Sequence, residues 1–203
     1  MGQGYARIAF TPAVQAEQAK IGSHTRFAAM AEQGRDDSRL GPPEQEFLTS
    51  RESFYLSSVN AQGWPYIQHR GGPAGFLRVA PDGTALAFAE LSGNRQKVSQ
   101  GNLAESDRVA LFCMDYAGAH RLKLFGHASL LPLAQAPEWA HTLPHPATAK
   151  VESLMLIRLA GWEWNCQQHI PRLLPLAEVE AGVRHMAERI AALEAENAAL
   201  RKS

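Results

Sequence analysis

The sequence predicts a mainly β protein with helices: an antiparallel β-barrel with a helical N-terminal segment and a C-terminal coiled-coil helix. Three observations support this fold class. Seven short apolar or β-branched runs recur between turn signals from Ser53 to Cys166. Only one run is clearly followed by a helix, which argues against a doubly wound parallel sheet. From Leu176 onward, apolar residues recur at alternating spacings of three and four.

Residues 1–41 are predicted to form a helical N-terminal segment. Thr11 and Pro12 have the character of an N-cap and a first helical position, and "AVQAEQAKIG" after them has a good helix composition. A second short helix is predicted in "HTRFAAMAEQGRDDSRLG", which runs into a surface loop. Pro42 and Pro43 then start another helix, whose first turn is acidic, as the helix dipole favours.

The predicted strands form a barrel domain over residues 42–172. "PDG" between two of the runs indicates a hairpin, because its glycine can take a positive φ. Closing the strands into a barrel hides their edges. The runs are "SFYLSSVN", "PYIQHR", "GFLRVA", "TALAFAE", "RVALFCMDY", "RLKLFGHASLL" and "SLMLIRLAGWEWNC".

Residues 173–203 carry the a/d pattern of a coiled coil. With Leu176 at position a, Asn197 also falls at a, where a buried amide favours a parallel dimer in fixed register. The alternative is an amphipathic helix folded back on its own domain, because fewer than four clean heptads is short for a free coiled coil. We expect self-association in either case. Opposite charges at g and e positions could pair between two chains: Arg189 with Glu194, and Glu196 with Arg201.

The balance of charges limits the classes of partner that the protein is expected to bind. The 203 residues include 20 Lys+Arg and 20 Asp+Glu, with eight His. A nucleic-acid binder would be basic, so any anion must be held locally. Cys113 and Cys166 lack metal-type spacing, so neither a disulfide framework nor a metal site is expected. No apolar run suits a signal peptide or approaches the ~20 residues of a membrane span. We therefore expect a cytoplasmic protein with no nucleic-acid or membrane partner.

Familiar enzyme signatures are absent from the sequence. It has no Gly-x-Ser-x-Gly elbow, no Walker-type loop, no His-Glu-x-x-His and no Gly-x-Gly-x-x-Gly. Hydrolysis, including nucleotide hydrolysis, is therefore not expected. Catalytic residues stay unknown, because Cys166 and His169 offer a thiol and a base with nothing to indicate an activated thiol.

Basic and amide side chains cluster at two predicted strand ends. "YIQHRGGPAG" ends a strand and then offers glycines, where backbone N–H groups can approach a ligand closely. "LSGNRQKVS" ends a later strand and is predicted to start a helix at about Asn94, where free N–H groups suit a phosphate. A phosphate-bearing small molecule is one interpretation, and a solvated helix face is the other. The candidate residues are His69, Arg70, Gly71, Asn94, Arg95 and Lys97.

Two further stretches could contact a flat ligand. "RLKLFGHA" places Arg121 and Lys123 on one face of a strand and two leucines on the other, so the basic face could meet a partner, a cofactor edge or water. "GWEWNCQQHIP" is rich in tryptophan and amide side chains, which can stack on a ring and bond to its edge. A barrel lid or dimer core is an equally good interpretation of Trp162.

Five stretches taken together resemble a known family. They are "FLTSRESFYLSSVNAQGWPYIQHRGGPAGFLRV", "GNRQKVSQGNL", "RVALFCMDY", "RLKLFGHA" and "WNCQQHI". They resemble the flavin-binding split-barrel proteins related to pyridoxamine 5′-phosphate oxidase, over roughly Pro42 to Arg172 and in the expected order. The resemblance implies a six-stranded split β-barrel homodimer with FMN, or another flavin such as FAD, in clefts at the dimer interface.

The resemblance also implies roles for individual residues. Arg70, Arg95 and Gln96 would hold the cofactor phosphate and ribityl chain, with Glu90 and Asn94 along the same edge. Arg121 and Lys123 would approach from the partner subunit. Trp164, Asn165 and Gln168 would border the isoalloxazine ring or the substrate opening. The sequence departs from the family pattern at Lys97 and Gln167, where an aromatic residue and a proline are usual.

The resemblance leaves three hypotheses for function. The first is an FMN-dependent oxidoreductase that acts on a reduced nicotinamide or another small substrate. The second is a flavin-binding carrier or sensor module without turnover. The third keeps the barrel but binds heme or a deazaflavin. Oxidation of vitamin B6 is not expected, because the end of the barrel domain lacks a recognisable pyridoxamine-phosphate pocket and leads straight into the tail.

Overall fold

A computed structural model describes residues 1–93 and 95–201 of the protein. They divide into two compact units: Met1–Met114 with Arg121–Cys166, and Asp115–His120 with the chain from Gln167 onward. The first unit contains the β-barrel and the second contains the C-terminal helix. Within the described residues, no helix combines the length and the apolar character needed to cross a membrane.

The helices and strands follow the predicted order along the chain. They are α1 (Gln3–Ala9), α2 (Pro12–Lys20), α3 (His24–Gln33), α4 (Pro42–Thr49), β1 (Ser53–Val59), β2 (Pro65–Gly71), β3 (Arg78–Val79), β4 (Ala85–Leu91), α5 (Val98–Glu105), β5 (Arg108–Asp115), β6 (His120–Leu131), β7 (Val151–Trp164) and α6 (Leu176–Leu200). Two short 3-10 turns lie between β6 and β7.

The seven strands form one sheet in the order β2-β1-β5-β6-β7-β4-β3. The pairings of β1 with β2 and β5, β3 with β4, β4 with β7, and β6 with β7 are antiparallel. This confirms the predicted antiparallel split β-barrel. The resemblance implies six strands, whereas the described residues form seven, of which β3 is the shortest with two residues.

The barrel core is built from the alternating faces of these strands. On β6, Leu122 and Leu124 are buried while Arg121 and Lys123 on the opposite face are only half-buried, as the alternation predicts. Trp162 of β7 is 4% exposed, and its indole Nε1 donates to the carbonyl of Arg39 at 2.8 Å. Trp162 therefore belongs to the packed interior of this unit.

Both helices predicted for the N-terminal segment are present. α2 begins as expected, with Thr11 Oγ1 accepting from the Val14 N–H at 3.4 Å and Pro12 in the first turn. The sequence analysis did not predict α1, which buries Tyr5 and Ala6. The Tyr5 ring stacks on Phe125 of β6 with 5.0 Å between ring centroids. α1 is thus packed on the barrel.

A buried carboxylate joins α1 to the last strand. Asp37 is 2% exposed. It accepts hydrogen bonds from the backbone N–H groups of Gly4 at 2.6 Å, Tyr5 at 2.7 Å and Trp162 at 3.2 Å. Three donors offset the desolvation of a buried carboxylate, and two of them lie in the first turn of α1, where N–H groups lack partners within the helix.

The helix after β4 begins later than predicted. α5 starts at Val98 and not at about Asn94. Arg95 and Lys97 have φ values of 63° and 53°, in the left-handed region that a right-handed helix excludes. The stretch between β4 and α5 is therefore a loop, and Asn94 itself lies outside the described residues.

Candidate functional site

An ion pair connects β2 with β4. Arg70 Nη2 lies 2.9 Å from Glu90 Oε1, and Arg70 Nη1 donates to Glu90 Oε2 at 3.2 Å. Glu90 is 3% exposed, so its charge is compensated mainly by this guanidinium. β2 is the first strand in the sheet order and β4 is the second to last. The pair therefore links opposite ends of the sheet across the barrel.

A cleft of about 190 Å³ opens beside this ion pair. Its walls combine the end of β2, the following glycines, two phenylalanines and the loop before β7. Because Arg70 is on one wall, the cleft offers a cation next to apolar surface. The lining residues are Gln68, His69, Arg70, Gly71, Gly72, Phe76, Phe88, Ala89, Leu91, Gly93, Pro144, His145 and Pro146.

A second, smaller cleft of about 50 Å³ adjoins the first, since Gln68, Arg70, Leu91 and Gly93 line both. It is bounded by the loop between β4 and α5 and by the start of α5. Most of its lining is polar or cationic. The remaining lining residues are Tyr66, Glu90, Arg95, Gln96, Lys97, Val98, Ser99 and Gln100.

The start of α5 is anchored to the neighbouring strands. Ser99 Oγ donates to Gln68 Oε1 at 2.9 Å, and the buried Asn102 Nδ2 donates to Ser58 Oγ at 2.9 Å. These bonds hold α5 against β2 and β1. The loop before α5, which carries exposed side chains, is consequently fixed at the end where it joins this helix.

Lys97 makes a contact that the sequence analysis did not predict. Its Nζ forms a hydrogen-bonded ion pair with Glu152 at the start of β7. The hydrogen bond from Lys97, together with its charge, lowers the pKa of Glu152 below its ordinary value. Lys97 thus ties the loop to β7, and the neighbouring Arg95 is another exposed cation of the small cleft.

Two features of the larger cleft suit a bound polar group. Arg70 Nε is buried and has no hydrogen-bond partner among the described residues, although buried donors are almost always paired. The chain is also packed closely around the glycines at and just after the end of β2. A Cβ on Gly72 would lie 2.7 Å from the Phe76 side chain, and one on Gly71 would lie 3.1 Å from the His69 ring.

Four other predicted residues lie elsewhere in the first unit. Arg121 Nε donates to the carbonyl of Cys166 at 2.9 Å, and the Asn165 N–H donates to the carbonyl of Arg121 at 3.0 Å. Lys123 lies 5.2 Å from the centre of the Tyr5 ring. Within the described residues of the first unit, the two clefts include none of Arg121, Lys123, Trp164 and Asn165, and Gln168 belongs to the second unit.

Trp164 is held by α4. Its indole Nε1 donates to Glu44 Oε1 at 2.8 Å, and its ring meets Phe47 edge-on with 4.8 Å between centroids. The other oxygen of Glu44 accepts from the Gly41 N–H at 3.1 Å. The Trp164 ring therefore has a defined orientation in the first unit.

The cleft residues that the sequence analysis did not single out include Gln68 and Ser99. Gln68 lies two positions before Arg70 on β2, and alternate residues of a strand share a face. That periodicity was a usable signal for Gln68. No sequence pattern indicated Ser99, because its hydrogen bond to Gln68 depends on where α5 begins.

The chain was compared with known proteins. The pyridoxamine 5′-phosphate oxidase family matches residues 42–162, which is more than half of the chain. No curated protein sequence matches it.

Several solved structures are similar to this one. HupZ of Group A Streptococcus is 14% identical with a TM-score of 0.46, covering 66% of this chain and 100% of its own. An FMN-binding protein from Syntrophomonas wolfei is 10% identical with a TM-score of 0.41, covering 64% and 88%. HutZ, the heme storage protein from Vibrio cholerae, is 20% identical with a TM-score of 0.36, covering 61% and 90%.

Proposed function

The chain belongs to the pyridoxamine 5′-phosphate oxidase family, and from this premise we propose that it binds FMN in the two adjoining clefts around Arg70. The observation that carries the proposal is the junction of a cationic cleft with one whose walls include two phenylalanine rings. FMN has the same two parts, a phosphate at one end and a flat ring at the other. We infer that the phosphate end occupies the polar cleft and that the ring lies toward the larger one.

The polar cleft supplies the donors that a phosphate needs. Arg95, Gln96 and Lys97 all have exposed side chains there, and the Arg95 guanidinium can bond two phosphate oxygens at once. Arg70 adds its unpaired Nε on the shared wall. Because Glu90 already balances the single positive charge of Arg70, we assign the main phosphate contact to Arg95.

The larger cleft supplies surfaces for a ring. Phe76 and Phe88 give apolar walls, and Gln68 and His69 carry polar groups that can bond to the edge of a heterocycle. We further propose that a homodimer completes the site. Arg121, Lys123, Trp164 and Asn165 lie in the first unit but outside its clefts, so a second copy would have to bring them there.

The activity that we propose is oxidoreduction of a small substrate or a reduced nicotinamide. A bound flavin supplies the hydride-transfer chemistry, and the protein supplies binding and orientation. Glu90 is buried and ion-paired with Arg70, which suits positioning of that arginine better than proton transfer. The role of the chain is then to hold the cofactor and leave one ring face open to substrate.

The absorption spectrum of the purified protein, alone and after reconstitution with FMN, tests the binding proposal. We expect flavin bands that stay with the protein through gel filtration. Arg95→Ala should weaken FMN binding about tenfold or more, since it removes charge-assisted bonds to phosphate. Arg184→Ala, in the exposed face of α6, is the matched control and should bind normally. A Soret or deazaflavin band, or full FMN affinity in Arg95→Ala, would contradict the proposal.

Steady-state oxidation of NADH and NADPH tests the activity separately. We expect the FMN-loaded protein to oxidise at least one of them faster than the same concentration of free FMN. If the loaded protein only matches free flavin with these donors, the proposed nicotinamide activity is wrong, while flavin retention in the first experiment still stands.

A further inference from the structure

The helix of the second unit presents an apolar stripe to solvent. α6 runs for 25 residues from Leu176 to Leu200 and has no buried residue. We propose that this stripe is the seam of a parallel, in-register, two-stranded coiled coil formed with a second copy of this chain. The stripe consists of Leu176 (71% exposed), Val179 (43%), Val183 (56%), Met186 (58%), Ile190 (56%), Leu193 (39%) and Leu200 (66%), with Asn197 between the last two.

The residue types along the seam specify two strands. With Leu176 at a, the next two a positions hold the β-branched Val183 and Ile190, and the last two d positions hold Leu193 and Leu200. β-branched residues at a with leucine at d favour the two-stranded form, because that combination packs best in dimer geometry.

Asn197 specifies orientation and register. In a parallel, in-register pair it faces its counterpart in the second copy, and the two amides can bond to each other inside the seam. In an antiparallel pair with full overlap, Asn197 would instead face Val179. A buried amide without a partner is costly, so the antiparallel arrangement is disfavoured.

The charges beside the seam lack partners within their own helix. The residues three and four positions from Glu194 are Ile190, Ala191, Asn197 and Ala198, which carry no charge. On a helix only such neighbours can pair, so Glu194 cannot pair with Arg189, five positions away.

A parallel second copy provides those partners. It brings Arg189 at g beside Glu194 at e of the other chain, and Glu196 at g beside Arg201 at e. Charge complementarity therefore favours another copy of this chain. Gly182 at an early g position lowers helix propensity there, so the second half of α6 is expected to hold the seam together.

Cysteine cross-linking in the full chain tests the proposal without relying on oligomer mass, which a barrel dimer would also raise. In a Cys166→Ser background, which removes the exposed thiol, Met186→Cys places a thiol at d. Facing d residues in a parallel pair lie within disulfide reach, so mild oxidation should give a covalent dimer. Glu188→Cys, at the outward f position, is the control and should remain monomeric on a non-reducing gel.

Other cross-linking outcomes would overturn the proposal. An antiparallel seam would link Met186→Cys to Ile190→Cys in a mixture of the two proteins, and neither variant to itself. Two other arrangements are a helix docked on its own domain and a tail that stays unpaired in a barrel dimer. In either case Met186→Cys would form no more cross-links than Glu188→Cys.

A charge reversal tests the register. Glu194→Arg should lower the equilibrium constant for seam formation about tenfold, because both symmetric g–e pairs become repulsive. Adding Arg189→Glu should restore cross-linking of Met186→Cys, since it recreates opposite charges between chains. If the double variant stays as weak as Glu194→Arg alone, the proposed register is wrong.

Discussion

Arg70 and Glu90 join the two ends of the barrel sheet, with Arg70 Nη2 2.9 Å from Glu90 Oε1. The two side chains are 14% and 4% exposed, so both charges are largely removed from water. Such a pair contributes little net stability while intact, but losing one partner leaves an uncompensated buried charge. The site and the stability of the barrel are therefore coupled through Arg70.

Arg70→Ala is expected to lower the free energy of unfolding by about 3 kcal/mol, because Glu90 remains buried without its counter-charge. Urea unfolding followed by tryptophan fluorescence measures this. Arg70→Ala/Glu90→Ala should recover a clear part of the loss, since it removes the stranded carboxylate. Additive losses in the double variant would contradict the coupling. Arg95, which is exposed, is accordingly the cleaner probe of phosphate binding.

Asp37→Ala should detach α1 from the barrel, because three backbone donors lose their acceptor. We expect a loss of about 2–4 kcal/mol in the free energy of unfolding. Amide hydrogen exchange should rise selectively at Gly4 and Tyr5. Asp36→Ala is the control: Asp36 is exposed and accepts from the nearby Ser38, whose N–H lies at 2.9 Å. Equal exchange in both variants would rule out the anchoring role.

The two thiols should differ sharply in alkylation. Cys113 is fully buried, and burial raises its pKa to about 12, whereas Cys166 is exposed. Because the thiolate is the reactive form, iodoacetamide at pH 8 should modify Cys166 of the native protein and leave Cys113 intact. Mass spectrometry of peptides reads both sites. In Cys166→Ser, labelling should begin only when denaturant is added, and native labelling of Cys113 would refute the assigned burial.

The Lys97–Glu152 ion pair should stabilise the protein only above acidic pH. The folded-state pKa of Glu152 is lowered, so this contribution is complete above the unfolded-state pKa and is lost as pH falls through the folded value. Glu152→Gln should therefore melt below the wild type at pH 7, with the gap closing below about pH 4. Glu138→Gln, at an exposed site, should show no such pH-dependent gap. A gap that persists at pH 3 would exclude the ion pair as its cause.

Local patterns in the sequence predicted the strands and most helices well. Thr11 with Pro12 located the start of α2, and the alternation in β6 placed Leu122 and Leu124 in the core. α1 was missed because Gly4 depresses local helix propensity, while its stability comes from packing and from Asp37. No local rule could pair Asp37 with Trp162, since 125 positions separate them.

The candidate site was predictable in its residues more than in its contacts. The cations at Arg70, Arg95 and Lys97 stood out because they follow strands in an otherwise apolar setting. The family resemblance placed Glu90 near Arg70, but neither the Arg70–Glu90 nor the Lys97–Glu152 ion pair was predicted, since each forms only when distant strands meet. The left-handed backbone at Arg95 and Lys97 makes α5 start later than predicted. The amino-acid composition gives no indication of such a conformation for charged residues.

Gly161 of β7 lies where α1 crosses the barrel. A Cβ at this position would collide with the backbone nitrogen of Tyr5 and would lie 2.7 Å from the carbonyl carbon of Gly4. Replacement by even the smallest chiral residue would wedge α1 away and separate Tyr5 from Phe125. The attachment of the amino-terminal helix thus depends on the absence of a single methyl group at position 161. We therefore expect this position to be the least tolerant of substitution along β7.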